Sequence, residues 1–168
     1  MKKILIAIAC LFMSLVASAA EISGKVGVGA VFGEPTGFTA KLWNDGVRAF
    51  DAGLAYSFSE FLIIYADHLW HFPGWVRGTA LDRKGHRFMP YVGVGGVFVI
   101  STEGGRSDRK LFLDTGNTVG LGLRLPVGLE WLPADPPLGV FLELVPGMGL
   151  APSVEGFFQG GLGIRYYF

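Results

Sequence analysis

The sequence predicts an all-β fold, a closed eight-stranded antiparallel up-and-down transmembrane β-barrel. Three observations lead to this prediction. Apolar residues recur with a period of two rather than with the period of roughly 3.6 that a helix shows. Turn residues divide the chain into eight segments of about 10 residues, the length that a tilted strand needs to cross a bilayer. The face opposite the apolar one is mostly glycine, which supplies 26 of the 168 residues.

The composition excludes two broad classes of protein. Hydrophobic residues make up 51% of the chain and charged residues 17%, a balance opposite to that of disordered chains. Lys and Arg together number 14, as do Asp and Glu, so the basic excess typical of nucleic-acid binding is absent. No nucleic-acid partner is expected.

Residues 1–20 have the pattern of a secretory signal peptide. A basic start at Lys2 and Lys3 precedes a short apolar run, and small residues follow that a signal peptidase accepts, with cleavage after Ala19 or Ala20. Cys10 lies inside the apolar run, so the exported chain is expected to fold without disulfides. Residues 21–168 then form one barrel domain with 12 basic and 14 acidic residues.

The eight predicted strands follow from the alternation and from the turn residues between the segments. They span residues 23–32, 38–43, 47–57, 61–72, 87–100, 117–132, 138–146 and 157–168. Gly, Pro and an Asn-Asp-Gly run separate them, as tight hairpins require. Pro126 conflicts with the sixth strand because it has no N–H to donate, so either a bulge or two shorter strands are expected there.

The apolar face is predicted to contact lipid, because a glycine-rich face carries too little charge to keep an exposed sheet in water. Lipid cannot satisfy an open strand edge, so the sheet has to close. Strict alternation then places four basic and four acidic residues inside the barrel: Lys25, Lys41, Arg124, Arg165, Asp51, Asp67, Glu130 and Glu143. A plug of ion pairs is favoured, and a path for protons or small ions is the alternative.

Aromatic residues recur where the even-numbered predicted strands end, which indicates one girdle at a membrane interface. These residues are Trp43, Trp70, Trp131, Tyr166 and Phe168. Trp43 has interior parity by strict counting, so its place in the girdle requires a small register shift.

The leader, the glycine-rich alternating strands and the closing Gly-Leu-Gly-Ile-Arg-Tyr-Tyr-Phe resemble the small eight-stranded outer-membrane β-barrels of Gram-negative bacteria, the OmpA/OmpX-like barrels. The Gly-Glu-Pro-Thr-Gly turn and the Ala66–His71 run are similar to an uncharacterised subgroup of them. The resemblance implies an outer-membrane location. It also implies that the barrel-assembly machinery reads the C-terminal strand, which ends in Phe168. It implies no particular activity, since such barrels include adhesins, anchors and enzymes.

His68 and His71 are the residues that invite a metal or catalytic interpretation. Residues three apart in a strand point to opposite faces, so the two rings cannot chelate one ion, and membrane-interface anchoring is favoured for both. Asp67 and His68 with Ser57 or Ser59 supply the residue types of a hydrolase. The serines and histidines, however, fall at opposite ends of their hairpin. No catalytic residue, metal or cofactor is expected.

Residues 101–116 form the one long charged loop on the side away from the termini. Arg106, Arg109 and Lys110 lie in it beside acidic residues. A solvated loop is favoured, and contact with a surface partner or with lipopolysaccharide phosphates is the alternative.

The expected function is that of a non-enzymatic integral outer-membrane barrel with a charge-plugged lumen, serving envelope structure or surface-loop interactions. Its expected partners are the outer-membrane lipids and the assembly machinery, and no surface partner can be named. A narrow ion or small-solute channel and a lipid-active outer-membrane enzyme are the alternatives.

Overall fold

The computed structural model describes residues 25–57, 61–74, 78–80, 86–101, 118–133 and 135–168. Within them, antiparallel strands pair edge to edge around a ring, and the first strand pairs with the last. The prediction of a closed eight-stranded antiparallel barrel is confirmed. The leader, Ser59 and the three basic residues of the 101–116 loop lie outside the described residues.

The structure divides the sheet into β1 (Val26–Glu34), β2 (Thr36–Trp43), β3 (Arg48–Ser57), β4 (Phe61–His71), β5 (Arg87–Ser101), β6 (Val119–Arg124), β7 (Val127–Leu132), β8 (Leu138–Ala151) and β9 (Gly156–Tyr167). Consecutive strands pair with each other, except that β6 and β7 do not pair and both lie between β5 and β8.

The segments β6 and β7 are two halves of one barrel strand, interrupted at Leu125 and Pro126. Their register against β5 is continuous across the break, with Arg124 opposite Gly95 and Val127 opposite Val92. The Pro126 carbonyl accepts a hydrogen bond from the Gly93 N–H at 2.7 Å, so the break adds no extra residue. The sequence predicted either a bulge or two shorter strands at this proline. The structure shows two segments in one register.

A register shift does occur in this strand, between Leu121 and Gly122 where it pairs with β8. The predicted end of the seventh strand at residue 146 was wrong, because β8 continues to Ala151. Pro146 cannot donate a hydrogen bond, but its carbonyl accepts one from the Leu125 N–H at 2.9 Å. The ladder therefore continues through the proline.

Side chains alternate between the barrel interior and its outer surface along every strand, as the pleat of a sheet requires. On β4, for example, Phe61, Ile63 and Tyr65 are buried inside, whereas Ile64 and Trp70 are exposed outside. Most exposed large side chains on the outer face are Leu, Val, Ile and Phe. The core of the molecule is the barrel interior.

The strand directions define two ends of the barrel. One end, called here the terminus-bearing end, holds the starts of β1, β3, β5 and β8 and the ends of β2, β4, β7 and β9. The opposite end holds the β1–β2, β3–β4, β5–β6 and β8–β9 connections. Among the described residues, no helix is long and apolar enough to cross a membrane.

Candidate functional site in the barrel interior

The interior carries a belt of charged side chains halfway along the barrel. Seven of the eight predicted interior charges lie on it, and all seven are buried: Lys41, Asp51, Asp67, Arg124, Glu130, Glu143 and Arg165. The eighth, Lys25, is exposed and precedes β1. The alternation of each strand points these side chains inward, and curvature of the closed sheet brings distant strands together across the interior.

Glu130 on β7 is the centre of the first group of contacts. Its Oε2 lies 2.5 Å from Lys41 Nζ and 3.5 Å from His71 Nε2. Its Oε1 accepts a hydrogen bond from the Tyr167 hydroxyl at 2.6 Å and lies 3.7 Å from a guanidinium nitrogen of Arg165. Four side chains from three other strands therefore converge on one carboxylate, which is itself completely buried.

Arg165 on β9 carries the second group. Its guanidinium donates to Asp51 Oδ2 at 2.6 Å and to Thr39 Oγ1 at 2.9 Å. Thr39 in turn donates to Asp51 Oδ1 at 2.9 Å, so both carboxylate oxygens are engaged. The guanidinium also lies over the Phe141 ring, 3.8 Å from its centre. Since Arg165 is only 1% exposed, these contacts replace its hydration.

Arg124 on β6 joins the remaining two carboxylates. It donates to Glu143 Oε1 at 3.1 Å, and its Nε lies 3.1 Å from Asp67 Oδ2. Glu143 also accepts a hydrogen bond from the Tyr91 hydroxyl at 2.7 Å. The Tyr65 ring lies beneath the guanidinium, 3.9 Å from its central carbon. Asp67 is the least well held carboxylate, because neither of its oxygens has a hydrogen bond of good geometry to the described residues.

Apolar side chains close the interior on both sides of the charged belt. Toward the opposite end lies a cluster of Phe61, Ile63, Tyr65, Val97 and Val99. Toward the terminus-bearing end, Met89, Leu132 and Tyr167 pack together with Trp43 against them. The buried side chains of the described interior therefore form three layers, apolar, charged and apolar.

Interior glycines explain how a barrel this small holds so many large side chains. Tyr91 lies directly across from Gly128 on the neighbouring strand, and Phe141 lies across from Gly163. A β-carbon on either glycine would overlap the facing ring. Each ring thus occupies the space that a side chain opposite it would need, an arrangement known to stabilise strand glycines.

Two solved structures share this architecture. The crystal structure of the N-terminal β-barrel domain of Pseudomonas aeruginosa OprF superposes with a TM-score of 0.59 and 16% identity, over 87% of this chain and 98% of that one. The outer membrane enzyme PagL superposes with a TM-score of 0.51 and 15% identity, over 85% of this chain and 99% of that one. The chain has the fold of the small outer-membrane β-barrels. No protein-family model matches the chain, and no curated protein matches it in sequence.

His71 corrects an expectation from the sequence. Interface anchoring was predicted for both histidines of the outer-membrane-type barrel, but His71 is fully buried inside, with Nε2 2.7 Å from Lys41 Nζ. Its odd position on β4 gives it the same inward parity as Asp67. The expected opposition of the two rings is correct, since His68 lies on the outer face between Phe50 and Trp70.

The aromatic residues divide in a similar way. Trp70, Trp131, Tyr166 and Phe168 are exposed on the outer face near the terminus-bearing end. Trp43 instead lies inside, with its ring centre 4.3 Å from that of His71. An outward Trp43 requires a register shift, but β2 keeps one register with β3 throughout the strand. Placing Trp43 in the girdle was therefore wrong.

Among the described residues, which exclude Ser59, the residue types of a hydrolase are not brought together. Ser57 lies at the opposite end of the barrel and donates a hydrogen bond to Glu34. His68 lies on the outer face, whereas Asp67 faces the interior. Beyond the charged residues, sequence reasoning missed Thr39, His71, Tyr91 and Tyr167 as members of the belt. Their inward parity was readable from the same alternation that identified Glu130.

Proposed function

We propose that this chain is an integral outer-membrane β-barrel, without enzymatic activity, whose lumen is closed by its own ion pairs. It serves the envelope as a structural element or by presenting its loops. One observation carries this proposal: the buried charges of the described interior pair with one another between two apolar clusters. The outer-membrane lipids are its immediate partners, and the C-terminal strand is its contact with the assembly machinery.

The outer face supports a location in lipid. Leu142 and Leu162 face each other across the β8–β9 pair and are 55% and 53% exposed. Soluble proteins seldom expose such a continuous apolar surface. With the termini in the periplasm, Trp70, Trp131, Tyr166 and Phe168 meet the inner interface, where aromatic residues are enriched.

The interior supports a closed lumen over the channel alternative. Every cation of the charged belt contacts a carboxylate, so an ion passing through would have to separate pairs such as Arg165–Asp51 and Lys41–Glu130. The apolar layers on both sides add a further barrier, because they give an ion nothing to replace its hydration.

The first test is the gel mobility of the chain extracted from membranes, compared before and after boiling. A closed barrel remains compact in cold detergent, so a heat-dependent shift is expected. Recovery in the soluble periplasmic fraction with no shift would contradict the proposal. It would favour a soluble carrier with its apolar face inside.

The second test is conductance across a planar phospholipid bilayer. We expect no conductance steps from the chain after incorporation, because a lumen closed by ion pairs and apolar layers would offer no continuous aqueous path. Gel mobility of the unboiled, reconstituted protein serves as the control that folded barrels were present. Reproducible steps from that same preparation would instead support the channel alternative.

A further inference from the structure

The interior opens into a cavity of about 260 Å³ at the terminus-bearing end of the barrel. Lys25, before β1, and Trp43, at the end of β2, line one side of it. Arg87, at the start of β5, and Leu132, at the end of β7, line the other. Around the barrel wall, β3 and β4 lie between the β1–β2 side and the β5–β7 side in one direction. In the other direction, β9 and β8 lie between them. The cavity therefore spans the barrel mouth and faces water rather than lipid.

Two cationic side chains stand on opposite sides of this cavity. Lys25 and Arg87 both continue the inward parity of their strands, and both are exposed. Neither forms an ion pair or a side-chain hydrogen bond with any residue in the described part of the chain. This distinguishes them from the cations of the belt below, each of which is already matched with a carboxylate.

Among the described residues that line the cavity, Asp45 is the one acidic group, and it does not neutralise them. Asp45 accepts hydrogen bonds from the backbone N–H groups of Arg48 and Val47 at 2.7 and 2.8 Å. Its carboxylate also pairs with the Arg48 side chain at 3.0 Å. The backbone hydrogen bonds hold the Asp45 pKa below its ordinary value, so the group stays ionised and remains bound within its own turn.

The floor of the cavity is apolar, and its side chains pack against one another. Met89 is 2% exposed and packs with Leu132 in the layer that closes the barrel interior. The Trp43 ring completes the floor and rests on His71. Binding sites typically combine such an apolar surface with a few charged groups at the rim. Sites for drug-sized ligands measure about 300–1,000 Å³, so this cavity suits a small molecule.

We propose that the mouth cavity binds a small organic oxyanion, a carboxylate or a phosphate ester with an apolar body, from the aqueous phase on the terminus-bearing side. The Arg87 guanidinium and the Lys25 ammonium hold the anionic group from opposite sides, because both are hydrogen-bond donors with positive charge and no partner among the described residues. The apolar body lies on Trp43, Met89 and Leu132. This site is independent of whether the lumen conducts.

The two methionines outside the leader provide an internal reporter. Met89 lies on the cavity floor, whereas Met148 is exposed on the outer face of β8. The full chain, exported and recovered from membranes in dodecyl maltoside, is labelled with ¹³C at the methionine methyl groups and titrated with phenyl phosphate and with benzoate. Met89→Leu and Met148→Leu assign the two signals.

We expect both anions to shift the Met89 signal saturably and to leave Met148 in place. Lys25→Gln and Arg87→Gln should each weaken the affinity about tenfold, since each removes a charge-assisted contact. Arg48→Gln is the matched control, because it removes one positive charge at the same end from a side chain outside the cavity lining. It should change the affinity less than twofold.

Several results would overturn the proposal. These are an unmoved Met89 signal, an equal loss of affinity in Arg48→Gln, or an equal response to benzylamine, a cation of similar shape. A response only to dihexanoyl phosphatidylglycerol would assign the site to a lipid headgroup and reject a free anion. Heat-dependent gel mobility of each variant shows that the barrel is folded, so loss of binding is distinguished from loss of structure.

Discussion

At the scale of single residues, the buried charges are stable only as members of groups. Glu130 contacts Lys41, His71 and Tyr167 at once, and Lys41 is 1% exposed. Taking two charges out of water costs several kcal/mol for each ion, and their contacts offset that cost only where the geometry is good. Removing Glu130 is therefore costly mainly because it leaves the buried Lys41 ammonium without its closest carboxylate.

Replacing Glu130 by Leu should destabilise the barrel by about 3–5 kcal/mol, because Lys41 is left buried without its closest anion. Adding Lys41→Met to that variant should recover a large part of the loss, since the pair is then replaced by apolar side chains. Equilibrium unfolding by urea in lipid vesicles measures both effects. Strict additivity of the two single changes would show that the pair is not coupled.

At the scale of strands, glycine and aromatic residues act as cross-strand pairs. Tyr91 covers Gly128, and the same ring carries the hydroxyl that donates to Glu143 at 2.7 Å. A glycine on β7 thus sets the position of a hydrogen bond between β5 and β8. The alternation of small and large residues between neighbouring strands is part of the architecture.

The change Gly128→Ala should destabilise the barrel by about 1–3 kcal/mol, because the new methyl group overlaps the Tyr91 ring and the Leu142 carbonyl. Gly46→Ala is the control, since a β-carbon at this turn glycine meets nothing within 4 Å. The midpoints of urea unfolding compare the two variants. Equal losses at both sites would mean that interior space is not what selects glycine at position 128.

At the scale of the whole molecule, closure of the sheet encloses the charged belt and leaves an apolar exterior. Pairing of β1 with β9 leaves no open edge between the first and last strands, as a barrel surrounded by lipid requires. The exterior is then free to be apolar over its whole circumference. This inversion of the usual soluble arrangement is what the proposed membrane location depends on.

A charge on the outer face tests that location directly. Leu162→Arg should cost about 2–4 kcal/mol in lipid vesicles if the middle of β9 faces the hydrocarbon core. The same change at Val154, which is 70% exposed in the β8–β9 connection, should cost about 0–1 kcal/mol. Guanidinium unfolding in vesicles measures both variants. Similar small effects at the two positions would place the outer face in water.

The sequence determined which face of each strand points inward. The period of two assigned Asp51, Glu143 and Arg165 to the interior, because a strand has no other way to alternate. By the same alternation, His71 and Trp43 also point inward. The interface positions predicted for these two residues were wrong, although strict counting already placed Trp43 inside.

Only the tertiary structure decided which charges meet. Lys41 and Glu130 lie 89 positions apart, and their 2.5 Å contact exists because closure brings β2 and β7 across one interior. The register shift at Leu121 also depends on β8, a partner that local alternation does not specify. Periodicity is a local property of one strand and is therefore legible in the sequence. Pairing across a closed ring depends on the register of every strand in it, so it appears only in the folded barrel.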